Sequence, residues 1–200
     1  MASKTSLCNL ALRRVGEKTI QSLDEGTKQS DLCNELYEPV MEQVLAMHNW
    51  NFALQRAELA QSTTSPAYGW VYSYPLPTSP KCLRVIRMED TDYEFVVEGR
   101  NLLTDEGTCK ILYVGMVDDP STMSPLAQKV FYLSMAVEMA FTLTATNTVL
   151  NGLYDQLQAA ISEARCMDAL EGTVMAAHKS VWLESRYSGL GAGLNRNNVR

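Results

Sequence analysis

The chain reads as an α+β protein: a four-helix bundle of two helical hairpins, a small antiparallel β-domain inserted between them, and a flexible C-terminal tail. Three observations predict this. Apolar residues recur at helical spacing through Leu32, Leu36, Tyr37, Val40, Val44 and Leu45. At Trp50 the period changes to alternation, with Trp50, Phe52 and Leu54 on one side and Asn51, Ala53 and Gln55 on the other. Helical spacing resumes after Ser124-Pro125 and runs to about Leu170. The expected division is a discontinuous helical bundle over 1–49 and 118–171, a β-domain over 50–117 and a tail over 172–200.

The first helix starts at a cap within Ser3–Thr5, buries Leu7, Leu10, Ala11 and Val15, and stops at Gly16. A polar connection leads to a second helix over about Thr27–Met47, whose Asp31 and Glu35 lie near its start, where carboxylates suit the helix dipole. Pro39 inside it should kink it, but the apolar stripe continues on both sides, so it stays one element. Expected strands are Trp50–Glu58, Trp70–Tyr74, Leu83–Met88, Tyr93–Val97 and Lys110–Val117, separated by turn-rich segments. Trp70, Tyr72 and Tyr74 fall on one strand face, which must be buried or meet a partner. Ser124 and Pro125 supply a cap and a first-turn proline for the third helix, which buries Leu126, Val130, Leu133, Val137, Ala140 and Phe141. The fourth begins near Asn147, carries Val149, Leu153, Leu157, Ala160, Ile161 and Ala164, and stops at Gly172. The stretch Ser188–Arg200, rich in Gly and Asn, cannot hold a packed core.

Composition narrows the function classes. A hydrophobic share of 46% and a charged share of 20% over 200 residues belong to an ordinary globular chain. The formal charge of −6 disfavours a general nucleic-acid binder. The charge is uneven: residues 172–200 hold four bases (Lys179, Arg186, Arg196, Arg200) and one acid (Glu184), a net of +3, which leaves −9 for the rest. Five cysteines without a Cys-x-x-Cys pair point to reduced thiols. The N-terminus shows no apolar signal segment, and the longest apolar-leaning run, Val130–Leu143, is interrupted by Ser134 and Glu138. A soluble intracellular product with no membrane anchor is expected.

No motif for chemistry survives inspection. The histidines, His48 and His178, are far apart and have no ligand-like neighbours at helical spacing, so no metal site is expected. His48 reads as a helix-end residue meeting the negative pole of the dipole. Gly-x-Ser-x-Gly is absent, and Cys8 and Cys33 fall on helix core faces. Gly189–Gly193 lacks the strand, helix and Lys-Ser/Thr of a phosphate loop. The acidic pairs Asp24-Glu25, Glu89-Asp90 and Asp118-Asp119 sit in turns. Six bases against eight acids in 50–117 leave the aromatic strand without the basic companions of a nucleic-acid platform. No catalytic residue and no cofactor is expected.

The order of residues nonetheless resembles a known family. Asn9–Glu17, Ile20–Glu25 and Leu32–Tyr37 are followed by His48-Asn49-Trp50-Asn51-Phe52-Ala53 and Arg56-Ala57. Tyr72-Ser73-Tyr74-Pro75-Leu76-Pro77 with Cys82–Ile86 comes next, and Trp182-Leu183-Glu184-Ser185-Arg186 closes the series. Together these resemble the tail tubular protein A family, the head-to-tail adaptors of short-tailed bacteriophages, from about residue 7 to 187. Asn49 stands where many relatives carry proline; either residue can end a helix. The resemblance implies a structural virion protein, made in the host cytoplasm and placed beneath the portal vertex. It implies a dodecameric ring that binds the portal protein, passes double-stranded DNA without specific binding, and docks the tail nozzle (tail tubular protein B). Trp50 and Phe52 are then the structural junction, and Trp182, Arg186 and Tyr187 are the candidate portal contacts. The competing readings are another head-completion or neck connector, and a tail-associated hydrolase.

Overall fold

A computed structural model describes residues 3–143 and 147–171. Helix α1, Lys4–Val15, begins at Ser3, whose Oγ accepts the Ser6 N–H at 3.1 Å while Ser6 Oγ accepts the Ser3 N–H at 2.8 Å. It ends at Gly16, whose φ of +86° suits a left-handed cap. Leu7, Cys8, Ala11, Leu12 and Val15 form the buried stripe; Leu10, expected inside, lies off that stripe and is exposed. Helix α2, Lys28–Ala46, opens with the same reciprocal cap between Thr27 and Ser30. Pro39 does not break it. Both Pro39 and Glu35, whose carbonyl loses its partner, face solvent, where water replaces the missing bond.

The expected first strand is corrected at its start. Asn51–Ala53 forms a 3-10 turn, closed by the Ala53 N–H donating to the Trp50 carbonyl at 2.9 Å, and strand β1 covers only Leu54–Leu59. The turn folds the chain back on itself. Ala53, assigned by alternation to the side opposite Trp50, is therefore fully buried with it.

Five further strands follow: β2 Tyr72–Pro75, β3 Cys82–Met88, β4 Phe95–Glu98, β5 Asn101–Thr104 and β6 Cys109–Gly115. Trp70 lies before β2 rather than in it, so the three aromatics do not share one strand. Strand β5 is one more than expected; Gly99, with φ +60°, lets the chain turn directly from β4 into it. The strands make two antiparallel three-stranded sheets, ordered β1-β6-β3 and β2-β5-β4.

The first sheet has two inner faces. Val114 belongs to the core built by the helices, with Leu54, Leu83 and Ile86 packed on it. Its other side sets Tyr113, Ile111, Cys109 and Met88 against Tyr74 and Leu102 of the second sheet. Helix α3, Pro125–Leu143, starts at Ser124, whose Oγ accepts the Ala127 N–H at 3.2 Å. It packs against α1, α2 and α4, Asn147–Leu170, and its burial runs almost all round, as for a central helix. Phe141 is the exception, 64% exposed near the helix end instead of buried, and Val149 of α4 is likewise exposed. The α+β class thus holds: four helices and two small antiparallel sheets among the described residues. The stop at Gly172 and all of the tail lie outside the described residues.

Candidate functional site

The residues singled out at the change of period come together in space. Trp50 is fully buried, and its Nε1–H donates to the Val44 carbonyl at 2.7 Å, which anchors the indole to the last full turn of α2. Phe52 stacks on it at 5.9 Å and 27°, and the His48 ring meets it edge-on at 4.7 Å. Three consecutive ring-bearing positions, 48, 50 and 52, thus form one aromatic column at the exit from α2.

Asp168, near the end of α4, holds this column. Its Oδ1 accepts the Asn51 backbone N–H at 3.0 Å, and its Oδ2 accepts from His48 Nε2 at 3.0 Å. Asn51 Nδ2 in turn donates to the Asp168 carbonyl at 2.6 Å. One turn earlier on α4, Arg165 donates to the Met47 carbonyl at 3.0 Å. Asp168 is 6% exposed, the one buried carboxylate among the described residues. A carboxylate at a helix C-terminus faces the unfavourable pole of the dipole, so the Asn51 N–H and His48 supply what that position lacks. His48 does occupy a helix end, as its sequence suggested, and it has a carboxylate partner that sequence spacing did not reveal.

Nothing in the sequence near Asp168 marks it. Its partners lie 117 to 120 positions away, and only folding brings them close. On the flank of the junction, Arg84 of β3 donates to Asn49 Oδ1 beyond the end of α2, and Lys81 just before β3 pairs with Glu42 of α2. Asn49 is therefore a hydrogen-bond partner here, a role proline could not fill.

Four of the five cysteines are buried. Cys8 and Cys33 are fully buried in the helical core; their mutual interaction, then burial, pushes the Cys8 thiol far up, and the same interaction lowers the Cys33 thiol. Burial also raises Cys82, and it raises Cys109 to about 11, so both stay thiols at neutral pH. Asp119 of the Asp118-Asp119 pair caps a 3-10 turn at Pro120–Thr122, and the Ser121 N–H and hydroxyl hold its carboxyl below its ordinary value. Among the described residues no group of three or more His, Cys, Asp and Glu is placed to hold a metal ion, and no helix is long and apolar enough to cross a membrane.

Unpartnered apolar surface is the other conspicuous feature. Phe141, Met167 and Leu170 project from α3 and α4, and Tyr68, Val71, Val96 and Val97 from the second sheet and the segment before it. Trp182, Arg186 and Tyr187 lie outside the described residues. Compared with family models and with curated proteins, the chain matches none.

Proposed function

We propose that the chain is the subunit of a ring that joins a phage portal to its tail, extending the DNA channel and offering a platform to the tail nozzle protein. The observation that carries this reading is the unpartnered apolar surface on two separate parts of the chain, the outer helices and the second sheet. A subunit in a closed ring needs two different faces that meet by rotation, and such faces stay uncovered on a single copy. The ordered resemblance to tail tubular protein A over residues 7–187 points to the same assembly. So does the acid excess outside the tail, −9 before residue 172, since a channel wall that repels phosphates lets DNA slide.

In this reading the helices act as a bundle at 1–49 and 118–171, and the strands of 50–117 are an inserted domain held in fixed relation to it by the junction at Trp50, Phe52 and Asp168. The basic tail, through Trp182, Arg186 and Tyr187, engages the portal. Shortening the chain after Glu171 should then weaken portal binding, and unchanged affinity would remove the tail from the contact. A small helical neck connector accounts less well for six strands, and a hydrolase would require a convergent polar site that the junction does not provide.

Electron-microscope images of the purified chain mixed with the portal protein of the same virus test the reading. Twelvefold density added to the narrow end of the portal is the expected outcome. A chain that stays monomeric and leaves the portal unchanged under all conditions would refute it.

A further inference from the structure

The second sheet has an outer face that the packing of the two sheets leaves free. The register Tyr72↔Thr104, Ser73↔Leu103 and Tyr74↔Leu102, continued by Val96↔Leu103 and Glu98↔Asn101, sorts the side chains by period two. Tyr74 and Leu102 turn toward the first sheet, with Tyr72 and Phe95 packed beside them. Ser73, Leu103, Asn101 and Glu98 are on the opposite face. The segment 62–70 rises over that face and is tied to it by the Ser62 N–H donating to the Ser73 carbonyl at 2.8 Å. A groove of about 420 Å³ lies between segment and sheet, within the size range of small-ligand sites.

Its chemistry is specific. Tyr68 and Trp70 stand on either side of Gly69, whose φ of +86° turns the segment, and both residues line the groove. Tyr68 is 89% exposed, an aromatic ring with nothing over it, and Trp70 is half-buried. Pro66, Ala67 and Leu103 add a small apolar part to the lining, and the remainder is short and polar: Ser62, Thr64, Ser65, Ser73, Asn101 and the carboxylate of Glu98. Hydroxyls and an amide that both donate and accept, beside one acceptor carboxylate, match ligands whose own groups do both. No lysine or arginine lines the groove, which disfavours a phosphate or a nucleic acid. The apolar lining is too small for a lipid chain.

We infer that this groove binds a neutral oligosaccharide, with Tyr68 and Trp70 against the apolar faces of the sugar rings and Glu98 and Asn101 bonding their hydroxyls. A flat ring has an apolar face for an aromatic and an equator of hydroxyls for planar polar side chains, and the groove supplies both. The role is binding. Glycoside cleavage uses two carboxyl groups across the bond, and Glu98 is the single one in the lining. The nearby Asp105 is already committed, its Oδ1 accepting the Val71 N–H at 2.9 Å.

Saturation-transfer NMR and calorimetry on the full chain test this with neutral trisaccharides of glucose, galactose, mannose and N-acetylglucosamine. One of them should bind saturably at one site. Tyr68→Ala, at a position so exposed that folding is unaffected, should weaken it about tenfold, the value of a lost aromatic stack. Glu98→Gln should weaken it several-fold, and both variants should keep the parent melting temperature. No saturable binding of any of the four up to about 10 mM, or equal binding by Tyr68→Ala, would overturn the inference. So would saturable binding of a proline-rich peptide alone, because aromatic grooves also suit that class.

Discussion

The junction at the exit from α2 and the second sheet at the far end use similar residues to opposite effect. At the junction Trp50 is fully buried with Phe52 half-buried against it, and Trp50 Nε1, the Asn51 N–H and His48 Nε2 are partnered by Val44 and Asp168. In the second sheet Val96 and Val97 are open, as is Val71 just before it, and the edge strand β4 is mostly exposed along its length. Large apolar side chains are thus spent on internal rigidity in one place and left available in the other. The difference separates what the chain fixes by itself from what another surface must cover.

Trp50→Ala should break the junction most severely. It removes a fully buried indole and its hydrogen bond, so a loss of about 3–5 kcal/mol is expected, read as a large fall in the thermal midpoint. A change under about 1 kcal/mol would show that the aromatic column carries little of the stability. Asp168→Ala ranks next, at about 1–3 kcal/mol, because it strands the Asn51 N–H and leaves His48 unpaired. Its signature is local: amide exchange should quicken in the last turns of α4 before it does in β6.

The far sheet should respond in the reverse manner. Val97→Lys sits on an exposed edge strand, where lysine is tolerated, so stability should move by no more than about 0.5 kcal/mol while ring formation on the portal is lost. Destabilisation comparable to that of Asp168→Ala would place Val97 in the core and erase the contrast. The smallest effect belongs to Glu25, which lies in neither region. The Gln21 N–H, then the Thr27 hydroxyl, hold its carboxyl below the ordinary value. A carboxyl lowered by folding stabilises above its unfolded value and stops doing so as pH falls through its folded one. Glu25→Gln should therefore cost a little at neutral pH, and the two melting curves should converge in acid.

The same contrast explains what the sequence disclosed. Local signals were sufficient for the helices: Ser3, Thr27 and Ser124-Pro125 mark starts that their own side chains create, and Gly16 marks a stop. The change of period at Trp50 is visible, but alternation over six residues cannot distinguish a strand from a 3-10 turn, so it puts Ala53 on the wrong side. Strand β5 escaped because Leu102, Leu103 and Thr104 are all buried, so it shows no alternation; the glycine turn at Gly99 was the available hint. Phe141 and Leu10 fit a helical period yet lie outside, since period alone does not say which side of a helix has a neighbour. Asp168 carried no signal at all, because its meaning comes from Asn51 and His48 on a distant part of the chain.

Amide hydrogen exchange, measured on the free chain and again on the chain assembled with portal, tests the contrast most directly. The account predicts slow exchange at 50–54 in both states, and new protection on assembly in β4 and at the exposed ends of α3 and α4. Protection unchanged on assembly in those exposed segments, or slow exchange at 50–54 that appears only in the assembly, would contradict it.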